Sequence, residues 1–488
     1  MTQPVDVSRY LRPGLLIGGE EIGAGGGGTF GHVNPATGKV QQSLPMAGPE
    51  DVDRGVAAAR AGQAEWRRWK PEQRRRVLTR IADAMRASAA ELGMVQALEN
   101  GIPVSMGSHV MVTLGADWFE YAASWADKLE GQVVPTAPGE VFDYTLLEPI
   151  GVVAVVLTWN GPVGSWGMCV APPLAAGCSV IVKPAEQAPF SSLLLGRICA
   201  EAGLPAGVVN VLPGGPSAGA ALVAHPGVDK VSFTGGGATG RRIAVACAEN
   251  LKPVLLELGG KSANIVFDDA DIPKAVASAV SIIGLAGQGC TLPSRLLVQA
   301  SVYDDFLPMV AAALSQVPVG DPLDTKTMMG PVISSAACDR ILGMIERAGR
   351  DGAEIVTGGV RLSDGLADGY FIAPTLIRDV DPASEIARDE VFGPVVAATK
   401  FSDEEEAIEI ANGTRYGLAG YVQTREVSRA IRVASALDAG SIGVNGGGAP
   451  AGPGAPFGGV KESGYGREGG LGGLLEFVRV KNVMIDLT

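Results

Sequence analysis

Histidine is scarce in this chain. There are three, His32, His109 and His225, and none lies within a helical turn of another or of a cysteine, so no zinc site or other metal centre is expected. The six cysteines, Cys169, Cys178, Cys199, Cys247, Cys290 and Cys338, form no Cys-x-x-Cys pair and are too few to staple 488 residues as a disulfide scaffold. Charged residues are 19% of the chain, below the ~25% of an ordinary globular protein. Basic charge is in deficit: 39 Lys and Arg against 52 Asp and Glu leave a net charge of −13. A partner that must be met by a basic face, such as nucleic acid or an anionic membrane, is therefore excluded. The longest apolar strings, such as 151–157, fall far short of the ~20 residues that span a bilayer. The first residues, 1–14, lack a basic start followed by an apolar stretch, so no secretory signal is expected and the chain reads as soluble and cytoplasmic.

What the chain does have is apolar residues, at 47%, and 68 glycines, about twice the ~7% of average usage. The first rules out disorder over most of the length. The second, without a Gly-X-Y period, points to tight turns and close backbone approaches. The Gly25–Gly28 run reads as a mobile loop between two strands. Helices are expected from Pro49-Glu50-Asp51, from Pro71-Glu72 on toward Gly101, and around Trp118, Phe119, Tyr121 and Trp125, aromatics that suit a core. From residue 151 apolar bursts of strand length (GVVAVVL, CSVIVKP, GVVNVLPGG, KVSFTGG) alternate with helical stretches. That alternation is what a parallel sheet covered on both faces requires, so the fold class is α/β and doubly wound, with ligands beyond the carboxyl ends of the strands. A second alternating block runs from about 254 to 445, and a glycine-rich stretch, VNGGGAPAGPGAPFGG, leads into the tail.

Five short motifs carry chemistry. KVSFTGGGATGRR sets Gly235, Gly237 and Gly240 in G-x-G-x-x-G spacing between a strand and a helix, where backbone can approach a pyrophosphate. Glu257 follows at the distance where a simple Rossmann reading would make it a ribose ligand. CSVIVKPAEQ puts Lys183 and Glu186 just past a buried strand, a cation and a carboxylate that suit phosphate and ribose hydroxyls. VLTWNGPVG sets Asn160 between a strand and a proline-started helix, as an oxyanion donor or a helix cap. LLELGGK holds Glu257 among apolar residues, where desolvation raises a carboxylate's pKa toward that of a base working near neutral pH. GLAGQGCTLPSR holds Cys290 among small residues that leave its sulfur reachable, with backbone N–H groups that could lower its pKa.

In this order the motifs resemble the aldehyde dehydrogenase superfamily, and the likeness continues through WADKLEG, DEVFGPV and PFGGVKESGYGREGG over nearly the whole chain. The resemblance implies that Cys290 attacks an aldehyde, that Asn160 stabilises the oxyanion, and that Glu257 activates the water that hydrolyses a thioester, which replaces its reading as a ribose ligand. It also implies that Thr158, Trp159, Lys183, Glu186, Gly215, Phe233, Gly235, Gly236, Gly240, Leu258, Glu390 and Phe392 hold NAD. NADP is the less favoured cofactor, because Glu186 would repel a 2′-phosphate. The implied fold is aldehyde dehydrogenase-like: a Rossmann-type cofactor domain (1–126 and 148–256), an α/β catalytic domain (257–455) and a small β oligomerisation flap (127–147 and 475–488). An edge strand in that flap needs a partner, so a homodimer or homotetramer is expected.

Several positions depart from the family pattern. Gly236 replaces the usual serine, Gly284 and Leu285 an aromatic–Asn pair, Thr158 a proline and Gly161 an aromatic. Together with the uncharged 446–455 segment, Gly161 points to a roomy site for an uncharged, bulky or aromatic aldehyde. The rival reading is a catalytically silent nucleotide-binding protein of the same fold.

Overall fold

The computed structural model describes residues 6–136, 140–446 and 452–488. Five parallel strands form the centre of an eight-stranded sheet, in the order Val209–Val211, Ser179–Lys183, Val152–Val156, Lys230–Thr234 and Val254–Glu257. Antiparallel strands extend both edges, Leu15–Ile17 and Glu20–Ile22 on one side and Gly464–Tyr465 on the other. Helices cover both faces of the sheet, and almost every residue of its central strands is buried. That two-sided burial explains their unbroken apolar runs. From the 152–156 strand the chain adds two strands on one side, then returns to add two on the other. The reversal opens a crevice beyond the carboxyl ends of the 152–156 and 230–234 strands.

The helix Pro162–Ala176 leaves that crevice with proline in its first turn and stops at Gly177, whose φ of +95° closes it as a left-handed cap. It packs closely on Val112–Trp125: a Cβ at Gly167 would stand 2.3 Å from Gly115 O. On the latter helix Trp118 and Phe119 are buried in the core, while Tyr121 and Trp125 are half-buried. The helical stretch expected from Pro71 is two helices, Pro71–Ala87 and Ala89–Glu99, broken at Ser88 with ψ at 14°. Serine competes for backbone hydrogen bonds and is a weak helix former. The Gly25–Gly28 run does join two strands, but it is clamped rather than loose. Gly26 N–H donates to Asp51 Oδ2 at 2.7 Å and Gly27 N–H to Met46 O at 2.8 Å, while a Cβ at Gly25 would meet Met46 O at 2.2 Å. These glycines permit close backbone contact.

A second, seven-stranded sheet runs in the order 354–357, 375–378, 395–401, 295–299, 263–266, 419–423, 441–444, parallel throughout except at its first pair. A third sheet stands apart: Val478–Asp486 pairs with Val141–Pro149 over nine residues, and Val133–Val134 adds a short strand. The 447–451 part of the glycine-rich stretch and residues 137–139 of the expected flap lie outside the described residues.

Candidate active site

The crevice of the first sheet and the loops that lead into the central 295–299 and 395–401 strands of the second line a cavity of about 280 Å³. Ten of the residues singled out from the sequence line it: Thr158, Trp159, Asn160, Gly235, Gly236, Glu257, Leu258, Cys290, Glu390 and Phe392. Lys183, Glu186 and Gly215 form a separate group beyond the neighbouring strand. Lys183 Nζ is 3.5 Å from Glu186 Oε2, and a Cβ at Gly215 would stand 3.9 Å from Glu186 Oε1. Burial lowers the Lys183 pKa, with Glu186 opposing. Phe233 and Gly240 lie beneath the lining: a Cβ at Gly235 would strike the Phe233 ring at 2.6 Å, and one at Gly240 would meet Leu258 Cδ2 at 2.7 Å. Gly236 caps the helix Gly237–Glu249, and a Cβ there would meet nothing within 4 Å.

Glu257 closes the 254–257 strand and is buried, with neither carboxylate oxygen hydrogen-bonded among the described residues. Gly458 lies against it, where a Cβ would stand 2.7 Å from Oε1. Burial first, then the negative charge of Glu468, hold the Glu257 carboxyl well above the usual carboxylate range, with Arg467 partly opposing. Glu468 is itself raised by burial; its Oε1 accepts a hydrogen bond from Cys169 Sγ at 3.2 Å.

Cys290 follows a tight segment, Ser281–Gly287, in which Leu285 and Ala286 take left-handed φ values of +52° and +53°. Each costs a non-glycine residue ~1–2 kcal/mol. The Gln288 amide braces the segment, with Nε2 donating to Leu285 O at 3.0 Å and Oε1 accepting from Ile333 N–H at 2.9 Å. The backbone N–H groups of Cys290 and Thr291 lower the Cys290 pKa, as the sequence suggested, but they are outweighed. Burial, reinforced by the charges of Glu257 and Glu390, pushes the thiol up to about 12, and the N–H groups of Cys290 and Thr291 oppose this only in part.

Asn160 reaches across to the cysteine segment. Its Nδ2 donates to Gln288 O at 2.6 Å, and its Oδ1 accepts from Thr158 Oγ1 at 2.9 Å. On the opposite wall Glu390 Oε1 accepts from Gly260 N–H at 2.9 Å, and a Cβ at Gly259 would fall 2.2 Å from Glu390 Oε2. Phe392, at φ +47°, meets Trp159 edge to face with ring centroids 5.5 Å apart.

Sequence reading missed three contributors. Arg340 lines the cavity from the helix Ser335–Arg350, Thr234 from the end of a central strand, and Glu468 stands behind Glu257. Arg340 sits in no chemically suggestive spacing, Thr234 stands in the glycine motif but is overshadowed by the glycines that follow it, and Glu468 is one polar residue in a glycine-rich tail.

A doubly wound sheet whose crevice brings a desolvated carboxylate, at the end of its own 254–257 strand, against a thiol carried by the loop before the 295–299 strand of a second α/β sheet fits the class of oxidoreductases that act on carbonyl compounds. The chain belongs to the aldehyde dehydrogenase family, whose sequence profile matches residues 23–483. It is 43% identical over 482 residues to an aldehyde dehydrogenase of Emericella nidulans, covering 98% of this chain and 96% of that one. Among solved structures, PnpE from Pseudomonas sp. WBC-3 superposes with a TM-score of 0.95 at 39% identity, covering 97% of this chain and 98% of that one. The betaine aldehyde dehydrogenase of Staphylococcus aureus, solved with NAD+, gives 0.96 at 35% identity, covering 99% and 97%. The protein is an enzyme of aldehyde oxidation, and nothing in these likenesses favours a silent nucleotide-binding protein. Among the described residues no helix is long and apolar enough to cross a membrane.

Proposed function

We propose that this enzyme oxidises an uncharged, bulky or aromatic aldehyde to the free carboxylic acid, with NAD as hydride acceptor and Cys290 as nucleophile. The observation that carries the reading is the convergence of Cys290, Glu257 and the Asn160 amide on one cavity, with the Glu257 oxygens free of hydrogen-bond partners among the described residues. The cavity also fits the cofactor. Gly236 leaves open space at the start of a helix whose N–H groups suit a pyrophosphate, and Glu390 and Phe392 wall the reactive end. Lys183, Glu186 and Gly215 would hold the adenosine ribose, with the Glu186 carboxylate disfavouring the 2′-phosphate of NADP. NAD, when bound, supplies the acceptor for the hydride.

The remaining chemistry belongs to the chain. The Cys290 thiol gives up its proton to water in the cavity as its sulfur bonds to the carbonyl carbon, and the oxygen that becomes anionic is met by Asn160 Nδ2 and the Cys290 N–H. Loss of hydride from the thiohemiacetal carbon leaves a thioester on Cys290. Glu257 then takes a proton from water, hydroxide adds to the thioester, and the thiolate departs as the carboxylic acid forms.

The substrate class rests on the passage beside Asn160. Among the described residues a Cβ at Gly161 would meet only Met111 Sδ, at 3.9 Å, which leaves space beside Asn160 for a bulky group. We further assign residues 1–126 and 148–256 to cofactor binding, 257–455 to catalysis, and 127–147 with 475–488 to association into a homodimer or homotetramer in the cytoplasm. The exposed apolar side chains of the edge strand Val478–Asp486, Val480 and Met484 among them, support the association.

The test of the reaction is Glu257→Gln. The first turnover of NADH should appear as a burst at close to the wild-type rate, and steady turnover should fall at least ~10²-fold, within the range for a lost general base. Unchanged steady turnover would remove Glu257 from its role. Preference for an acidic semialdehyde over aromatic aldehydes would overturn the substrate class.

A further inference from the structure

We infer that Thr158 is a positioning residue for the oxyanion donor: its hydroxyl fixes which way the Asn160 amide faces, and thereby the rate at which Cys290 is acylated. This rests on the reading of Asn160 as the oxyanion donor and extends it to a residue assigned so far only to cofactor contact.

An asparagine side chain can turn by half a rotation at little cost in shape, exchanging a donor for an acceptor. In this site only one orientation is satisfied. The Gln288 carbonyl can only accept, so the atom 2.6 Å from it must be Nδ2. Oδ1 then faces Thr158 Oγ1 at 2.9 Å, and the hydroxyl must donate. With Nδ2 held toward the segment that carries Cys290, its second N–H is the one available to a substrate oxygen bound over the sulfur. Turned over, the amide would set Oδ1 against the Gln288 carbonyl and would present an acceptor to a developing anion. Two constraints thus select the productive orientation, and Thr158 supplies the only one made by a side chain.

The backbone around this contact is anchored as well. Asn100 Nδ2 donates to Trp159 O at 2.8 Å, holding the residue between Thr158 and Asn160, and Leu157 N–H donates to Lys183 O at 3.0 Å. Thr158 is therefore a hydroxyl on a fixed stem, aimed at one acceptor. Valine in its place would keep the branched shape and lose the donor, leaving Oδ1 without this partner at the edge of the cavity.

The experiment measures the rate of the NADH burst and, separately, NAD affinity by fluorescence quenching, for Thr158→Val, Thr158→Ser, Asn160→Ala and Thr158→Val on the Asn160→Ala background. Asn160→Ala should slow the burst by ~10²–10³-fold, the loss usual for one oxyanion donor. At saturating NAD, Thr158→Val should slow it by ~5–10-fold, the scale of one net hydrogen bond, a larger loss than any weakening of NAD binding. Thr158→Ser, which keeps the hydroxyl, should stay within ~2-fold of wild type. Added to Asn160→Ala, the valine should slow the burst no further. A Thr158→Val burst equal to wild type, a loss that Thr158→Ser shares, a loss that persists in full on the Asn160→Ala background, or a loss matched by weakened NAD binding would each overturn the positioning role. An Asn160→Ala burst at the wild-type rate would instead overturn the reading of Asn160 on which it rests.

Discussion

Glu257 shows how a residue acquires its chemistry from its surroundings. A carboxylate buried, facing the charge of Glu468 and with neither oxygen partnered among the described residues gives up its proton reluctantly. Its basic form accumulates only as pH rises through the raised pKa, so kcat limited by thioester hydrolysis must fall as pH drops through that value. The acid limb of a kcat–pH profile should therefore lie well above the ordinary carboxylate range, and Glu257→Gln should abolish it. A wild-type profile that is flat down to pH 5 would contradict the raised pKa. At this scale the sequence was most informative for Cys290, Glu257 and Asn160, because each sits in a short motif whose neighbours are small or apolar. It was least informative for Arg340 and Glu468, which enter the site through tertiary packing alone. It did not show the net shift of the thiol, since no motif reports the desolvation and the two carboxylates that outweigh the backbone N–H groups.

At the scale of elements, the site depends on how closely the helices Pro162–Ala176 and Val112–Trp125 approach. Gly167 and Gly115 meet backbone to backbone, and a methyl at Gly167 would also fall 2.7 Å from Gly115 Cα. No flexible side chain is there to yield. Gly167→Ala should therefore cost ~1–3 kcal/mol of stability, the range for overpacking a core, read as a lower denaturant midpoint. An unchanged midpoint would mean that the two helices are free to separate. The alternation of strand and helix from 151 to 257 was legible because a parallel sheet buried on both faces writes itself as apolar runs. The clamping of the Gly25–Gly28 run was not, since it is decided by partners distant in sequence, Met46 and Asp51.

At the scale of the molecule, the strand Val478–Asp486 is satisfied on one side by Val141–Pro149 and open on the other, with Val480 and Met484 exposed on it. The proposed association makes a definite prediction. The wild-type chain should run as a dimer or tetramer by light scattering at micromolar concentration, and Val480→Lys with Met484→Lys should shift it toward monomer. A wild-type monomer would refute the association.

The central claim is that Cys290 carries the acyl group and Glu257 releases it. The most direct measurement is intact-protein and peptide mass spectrometry of the Glu257→Gln enzyme, quenched with acid seconds after mixing with NAD and an aromatic aldehyde. The account predicts one added acyl mass, located on the peptide that contains Cys290. An unmodified Cys290, or an acyl group on any of the other five cysteines, would contradict it.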